Sequence, residues 1–237
     1  MKTIFLDFDG VLFDSVKEAY LLSRYAFYNI PIKTEIDKNH YQKFRKYRYL
    51  ITHSWHFYII LSLLENNINE NNFETIYNTY LKQGKNSNII KFDKKYTSAR
   101  EKLIQEDYNF WNKLDNPFDF FFEIKELSKN KNYNFIILTN KKRLPVQNKL
   151  KEYKIENIKI FANDDLKIYE NKAEFINIFM CNNNILKSIL IEDSINNIND
   201  CKKYPQINCL LANWGYLNPI QKGLNKDDIL KIIKEFQ

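Results

Sequence analysis

The chain has 237 residues, 44% of them hydrophobic and 27% charged, and carries a formal net charge of +7. This is ordinary globular composition, enough for one large domain or for a core with an insertion. No apolar run is long enough to span a membrane, and the first residues lack the basic-then-apolar layout of a secretory signal, so a cytoplasmic protein without a membrane partner is expected. The positive charge alone would suit nucleic acid, an anionic membrane or acidic small substrates. The lysines, however, are scattered among Asn and Ile, which reads as compositional bias, and nucleic-acid binding is not expected as the main role. The three cysteines, Cys181, Cys201 and Cys209, have no metal-ligand spacing and read as buried free thiols in a reducing compartment.

Residues 2–8 (KTIFLDF) form a short apolar strand. Residues 14–116 then show helical periodicity almost throughout, in the segments 15–30, 40–65, 72–83 and 97–114, separated by Asn-rich stretches and Gly84. Past Pro117 the pattern alternates. A helix over 118–130 precedes a buried strand at 133–139, and a helix with Pro145 in its first turn leads to a strand at 158–164. A helix from Lys172, a strand at 188–193, a helix from Ser194, a strand at 207–212 and a last helix complete the chain. Short apolar strands alternating with helices predict an α/β fold, a Rossmann-like parallel sheet covered on both faces. The expected domains are a core of 1–13 and 117–237 and an all-helical insertion of 14–116.

In such a sheet the binding crevice lies at the carboxyl ends of the strands. The first strand ends at Asp7-Phe8-Asp9-Gly10, the second at Thr139-Asn140-Lys141 and the fourth at Glu192-Asp193-Ser194, while Lys172 opens the helix after the third. Asp7 and Asp9 are two apart and so face the same side. Like charges crowded together need a positive partner. A hard cation such as Mg²⁺, which prefers oxygen ligands, answers the repulsion, and a phosphate held by that cation, Lys172, Thr139 and backbone N–H groups would fill the remaining space.

These motifs resemble those of the haloacid dehalogenase (HAD) superfamily. DFDGVLFDS looks like its first motif, ILTNK its second, Lys172 its third and LIEDSINNI its acidic fourth, in the family order. CLLANWGYL is similar to the final strand and turn of its phosphoglycolate-phosphatase-like members, and the insertion after the first motif matches the family's helical C1 cap. The resemblance implies an Mg²⁺-dependent phosphatase acting on a small phosphorylated metabolite through an aspartyl phosphate. Asp7 would be the nucleophile and Asp9 the general acid and base. Thr139 and Lys172 would complete the catalytic set, with Gly10, Thr139, Asn140 and Lys172 contacting substrate. The metal would be held by Asp7, the backbone carbonyl of Asp9, Asp193 and, directly or through water, Glu192. A phosphomutase with the same phosphorylated aspartate is the alternative, and a catalytically idle binding protein on the same fold the more distant one.

Some positions depart from the pattern or stay open. The family often has Lys-Pro where this chain has Lys172-Ala173, which leaves Lys167 as a rival. Asn197 stands where relatives carry Gly or Asp, so a further carboxylate ligand is lost there. Asp14-Ser15 reads as the cap of the insertion's first helix. His53 and His56, three apart on an expected helix face, read as packing residues because no third metal ligand accompanies them. Arg24, Arg45 and Arg48 read singly as solvated helix faces with snorkelling stems, with contact to a substrate anion as the other reading.

Overall fold

The computed structural model describes residues 1–218 and 220–236. Its elements in chain order are β1 (Lys2–Leu6), β2 (Phe13–Asp14), α1 (Val16–Tyr28), α2 (Lys38–Lys46), α3 (His56–Glu65), α4 (Glu70–Gln83), α5 (Ser87–Glu106) and α6 (Tyr108–Asn112). They continue with β3 (Asn116–Pro117), α7 (Asp119–Leu127), β4 (Tyr133–Leu138), α8 (Arg143–Glu152), β5 (Lys159–Phe161), α9 (Asn163–Leu166) and α10 (Lys172–Asn182). The last four are β6 (Ser188–Glu192), α11 (Ile195–Asp200), β7 (Ile207–Leu211) and α12 (Lys226–Glu235). The chain divides into two compact units, Met1–Asp14 with Asn116–Gln237, and Ser15–Asp115.

The first unit is built on a five-stranded sheet in the order β5-β4-β1-β6-β7, and every neighbouring pair runs parallel. Its strands are near-continuous apolar runs because both faces are covered. Ile4 and Leu6 of β1, Phe135 and Ile137 of β4 and Ile189 and Ile191 of β6 share one layer with Phe120, Phe121 and Ile124 of α7, Val146 of α8 and Ile229 and Ile233 of α12. Phe5, Ile136, Leu138 and Leu190 point into the opposite layer, against Phe175, Ile176 and Met180 of α10. The order reverses at β1: β4 and β5 lie to one side and β6 and β7 to the other. That is the topological switch point, where a parallel sheet leaves a crevice at its carboxyl edge.

Two short antiparallel strands carry the chain out of this unit and back. Phe13 pairs with Pro117 and Asp14 with Asn116. In the helical unit α1 meets α5 and α6 through a buried polar group. The Glu18 carboxylate, fully buried, accepts from Arg100 Nε (2.8 Å), Arg100 Nη2 (3.0 Å) and Trp111 Nε1 (2.7 Å).

Several expectations are corrected here. The periodic segment 40–65 is not one helix. It breaks after α2, passes through a 3-10 turn at Arg48–Leu50 and resumes at His56, with Ile51 in extended backbone. The freed carbonyls are met by side chains: Tyr77 Oη donates to Leu50 O (2.6 Å) and Arg48 Nη1 to Ile51 O (3.0 Å). His53 therefore precedes α3 and does not share its helix face. The segment 97–114 belongs to a helix that begins earlier, at Ser87, because the Asn86 side chain accepts the N–H groups of Asn88 and Ile89. It stops at Asp107, whose carboxylate caps α6 through Phe110 N. The strand expected over 158–164 is confined to Lys159–Phe161, since Asp165 accepts Ala162 N (2.7 Å) and turns the chain into α9. Ser15 stands at the N-cap of α1 without a capping side-chain bond. Arg24 is buried, with Nη1 donating to Glu35 O (3.0 Å), and is no solvated surface group. Of the cysteines only Cys201 is buried; Cys181 is exposed and Cys209 half-buried.

Candidate active site

The site grows from the end of the central strand. Asp7 directly follows β1, and its N–H donates to Ile191 O (3.0 Å) of β6, which extends the sheet by one more bond. The chain then turns sharply. Leu12 N and Phe13 N both donate to Phe8 O, at 3.0 and 2.9 Å, and Gly10 N donates to Phe13 O (2.8 Å). Gly10 has φ +91°, a conformation that L side chains rarely adopt. A Cβ there would sit 1.9 Å from Asp193 Oδ2 and 2.9 Å from the ring of Tyr216. With its amide taken by Phe13, Gly10 contributes space: the turn closes and the Asp193 carboxylate fits against it.

The carboxyl end of β6 supplies Glu192, fully buried, and Asp193, 5% exposed. Lys172, the first residue of α10, reaches into the same place. Its Nζ lies 3.0 Å from Asp7 Oδ1 and 2.7 Å from Glu192 Oε2. Ser194 N donates to Glu192 Oε1 (3.2 Å), so both oxygens of Glu192 are engaged. Lys167 instead pairs with Asp164 on the surface (2.7 Å), and Lys172 is the lysine at the acidic cluster. Thr139, 1% exposed, directly follows β4, with Oγ1 accepting from Lys141 N (3.1 Å), which leaves its O–H able to donate. Asn140 occupies the same turn and is half-buried.

Electrostatically the group is over-supplied with negative charge. Burial and the neighbouring Glu192 carboxylate push Asp7 up to about 8, although Lys172 works against the shift. Burial alone would lower Lys172, but Asp7 and Glu192 outweigh it and hold its ammonium protonated. Oxygens of Asp7, Glu192 and Asp193 all lie within 4.8 Å of one another. An all-oxygen set of three clustered carboxylates suits a small hard cation such as Mg²⁺. The donor set therefore fits the metal. Asp7 and Asp193 would be its ligands, with Glu192 accepting from Lys172 Nζ and Ser194 N beside them. Among the described residues no histidine belongs to such a set: His56 is buried, and its Nδ1 meets Tyr77 Oη (2.8 Å).

No family model and no curated protein matches the sequence. Solved structures match over nearly the whole chain. A hydrolase of the haloacid-dehalogenase-like family from Streptococcus pneumoniae superposes with a TM-score of 0.59 at 15% identity, covering 100% of this chain and 99% of its own. A predicted phosphoglycolate phosphatase from Haemophilus somnus gives 0.64 at 15% identity, covering 98% and 97%. A β-phosphoglucomutase by provisional assignment, from Thermotoga maritima, gives 0.56 at 16% identity and covers 100% of both chains. The fold is that of the haloacid-dehalogenase-like hydrolases. At such identities the likeness speaks for the fold, and activity has to be argued from the residues.

On this haloacid-dehalogenase-like fold two participants were not anticipated from sequence. Lys141 follows Thr139-Asn140, and its Nζ lies 3.0 Å from Asp9 Oδ1 with its side chain 2% exposed. It is thus the direct electrostatic neighbour of Asp9, as Lys172 is of Asp7. The other is the turn after β7. Tyr216 N donates to Asp193 Oδ2 (2.8 Å), and a Cβ on Gly215 would lie 2.4 Å from Asp193 Cβ and 2.5 Å from Gly10 O. Two of the chain's four glycines therefore flank one carboxylate. That scarcity was the available signal; a backbone N–H donor leaves no mark in a sequence.

Proposed function

We propose that the protein is an Mg²⁺-dependent phosphomonoesterase in which Asp7 is transiently phosphorylated. The observation that carries this is a buried aspartate at the switch point of a parallel sheet, 3.0 Å from a buried lysine and grouped with two further carboxylates. Asp7 and Asp193 would hold the ion, which when bound supplies charge neutralisation for the phosphoryl oxygens. Lys172 fixes Asp7 Oδ1 and offsets its charge, so that an Asp7 oxygen can attack phosphorus in line with the leaving oxygen. Asp9 gives the leaving oxygen a proton as the ester bond breaks. It then takes a proton from the water that attacks the phosphorylated Asp7, releasing inorganic phosphate and restoring both carboxyl groups. The Thr139 hydroxyl donates to a phosphoryl oxygen. The substrate is a small phosphorylated metabolite, and its selection falls to the helical unit, whose cationic and aromatic residues suit an anionic molecule.

The test is phosphate release from a panel of phosphorylated metabolites, with Mg²⁺ and with EDTA, by the natural protein and by Asp7→Asn. Activity is expected only with both Mg²⁺ and Asp7. Full turnover in EDTA or by the variant would overturn the mechanism. The similarity in fold to the provisionally assigned phosphoglucomutase keeps a mutase as second reading. Product analysis separates the two: a positional isomer of the substrate, with little free phosphate, would favour the mutase.

A further inference from the structure

The turn at residues 214–216 touches more than the acidic cluster. Trp214 Nε1 donates to Val11 O (3.0 Å), and the Tyr216 ring closes on Gly10. Tyr216 N holds Asp193 Oδ2, while at the far end of the same side chain Tyr216 Oη donates to Asp14 Oδ1 (2.9 Å). Tyr216 is 8% exposed. Asp14 is the last residue of the sheet unit before the chain leaves for the helical one, and it pairs in register with Asn116, where the chain returns. One residue thus grips a carboxylate of the candidate metal centre with its backbone and the two-stranded connector with its side chain. The grip is made of a charge-assisted bond at each end, the stronger kind of hydrogen bond.

We propose that Tyr216 is a positioning residue that couples occupancy of the acidic centre to the order of the connector. The inference rests on the divalent-cation reading of that centre. A cation bound to Asp193 fixes the carboxylate and with it the Tyr216 backbone. The phenol then has less freedom to lose when it bonds Asp14, so the β2–β3 pair is held more tightly in the loaded protein. Coupling of this kind is reciprocal: whatever factor the cation adds to the latch, the latch adds to cation affinity.

Tyr216→Phe cuts only the connector end, because the bond to Asp193 is made by the backbone. Asp14→Asn keeps an acceptor oxygen for the phenol, and Asp14→Ala removes it. Mg²⁺ binding is read by calorimetry. Connector order is read by amide exchange at Phe13 and at Phe118, whose N–H donates to Leu12 O (2.9 Å), at zero and saturating Mg²⁺. In the natural protein Mg²⁺ should slow these amides by about 10-fold, the scale of one hydrogen bond to a charged group. Tyr216→Phe and Asp14→Ala should lose that slowing and weaken Mg²⁺ binding by the same factor, and Asp14→Asn should retain both. Undiminished slowing in Tyr216→Phe, or a loss of affinity unaccompanied by loss of slowing, would overturn the coupling. Absence of Mg²⁺ binding in the natural protein would overturn the cation reading and the coupling with it, whereas binding that leaves the connector unchanged would overturn the coupling alone.

Discussion

His56 shows how a single residue sets a pH limit. It is 5% exposed in the helical unit, and burial, reinforced by the neighbouring His53, lowers it from 6.5 to about 3. Folded protein therefore binds fewer protons than unfolded protein between those values. The stability this group contributes is fully present above about 6.5 and drains away as pH falls toward 3. At about 1.4 kcal/mol per unit, the loss amounts to several kcal/mol over that window. Denaturant melts of the helical unit should show a steep fall from pH 7 to pH 4.5 that His56→Phe flattens; a parallel fall in both proteins would refute the assignment. Asp7 has the opposite sense. Held near 8, it keeps a proton that a cation must displace, so Mg²⁺ affinity should rise from pH 6 to pH 9, and should do so much less in Asp7→Asn. Lys141→Met keeps the stem beside Phe8 but removes the charge next to Asp9. Turnover of an alkyl phosphate is expected to fall by about 10-fold, less than the 10²–10⁴ that general acid–base catalysis supplies in full, with partial recovery in Lys141→Arg. Unchanged steady-state kinetics would show that Asp9 needs no such neighbour. The placement of Asp7, Asp9, Thr139, Lys172, Glu192 and Asp193 at strand ends and a helix start was legible in the sequence, because each lies at the boundary of an element in a fixed order. Lys141 was not, since a lysine in a polar turn is ordinary and only the fold turns it inward.

Among elements, the sheet was easier to read than the helices. A parallel strand covered on both faces is apolar along its buried middle, and the runs 4–6 in β1, 135–138 in β4 and 189–191 in β6 carry that signature. Helix ends depend on which groups take the last carbonyls and first amides, and some of those groups are distant in sequence. The break after Leu50 is held by Tyr77, 27 positions away, so the apolar spacing runs on through a place where the helix does not. The join of α1, α5 and α6 is likewise non-local: Glu18 meets Arg100 and Trp111. Removing one member of a buried ion pair leaves the other uncompensated, which costs about 3–5 kcal/mol. Glu18→Ala should therefore strongly lower the urea midpoint of the helical unit. Glu18→Gln, which still accepts from the indole N–H, should lower it less. Equal midpoints for both variants and the natural protein would mean that packing around Trp111 holds the join without the charges.

At the scale of the whole molecule, the chain passes from one unit to the other after Asp14 and returns before Asn116, and these two residues are a register pair of antiparallel strands. Paired residues of such strands stand about 5 Å apart, close enough to be joined by a two-residue turn. Ser15–Asp115 can therefore be replaced by Asn-Gly without pulling β2 from β3. The sheet unit keeps both apolar layers in that deletion, since the residues of each layer all come from Met1–Asp14 and Asn116–Gln237. The shortened protein is expected to unfold in one cooperative transition, because a domain with its own core and few covalent crossings folds as a unit. If the chemistry belongs to the sheet unit and substrate choice to the helical one, it should still release phosphate from p-nitrophenyl phosphate with Mg²⁺. Its preference among phosphorylated metabolites should collapse, because interactions with the non-reacting part of a substrate are the ones lost. A folded deletion that retained the metabolite ranking of the natural protein would move the selector into the sheet unit. A deletion that failed to fold would show that the two units are one folding body, despite a connection narrow enough to cut.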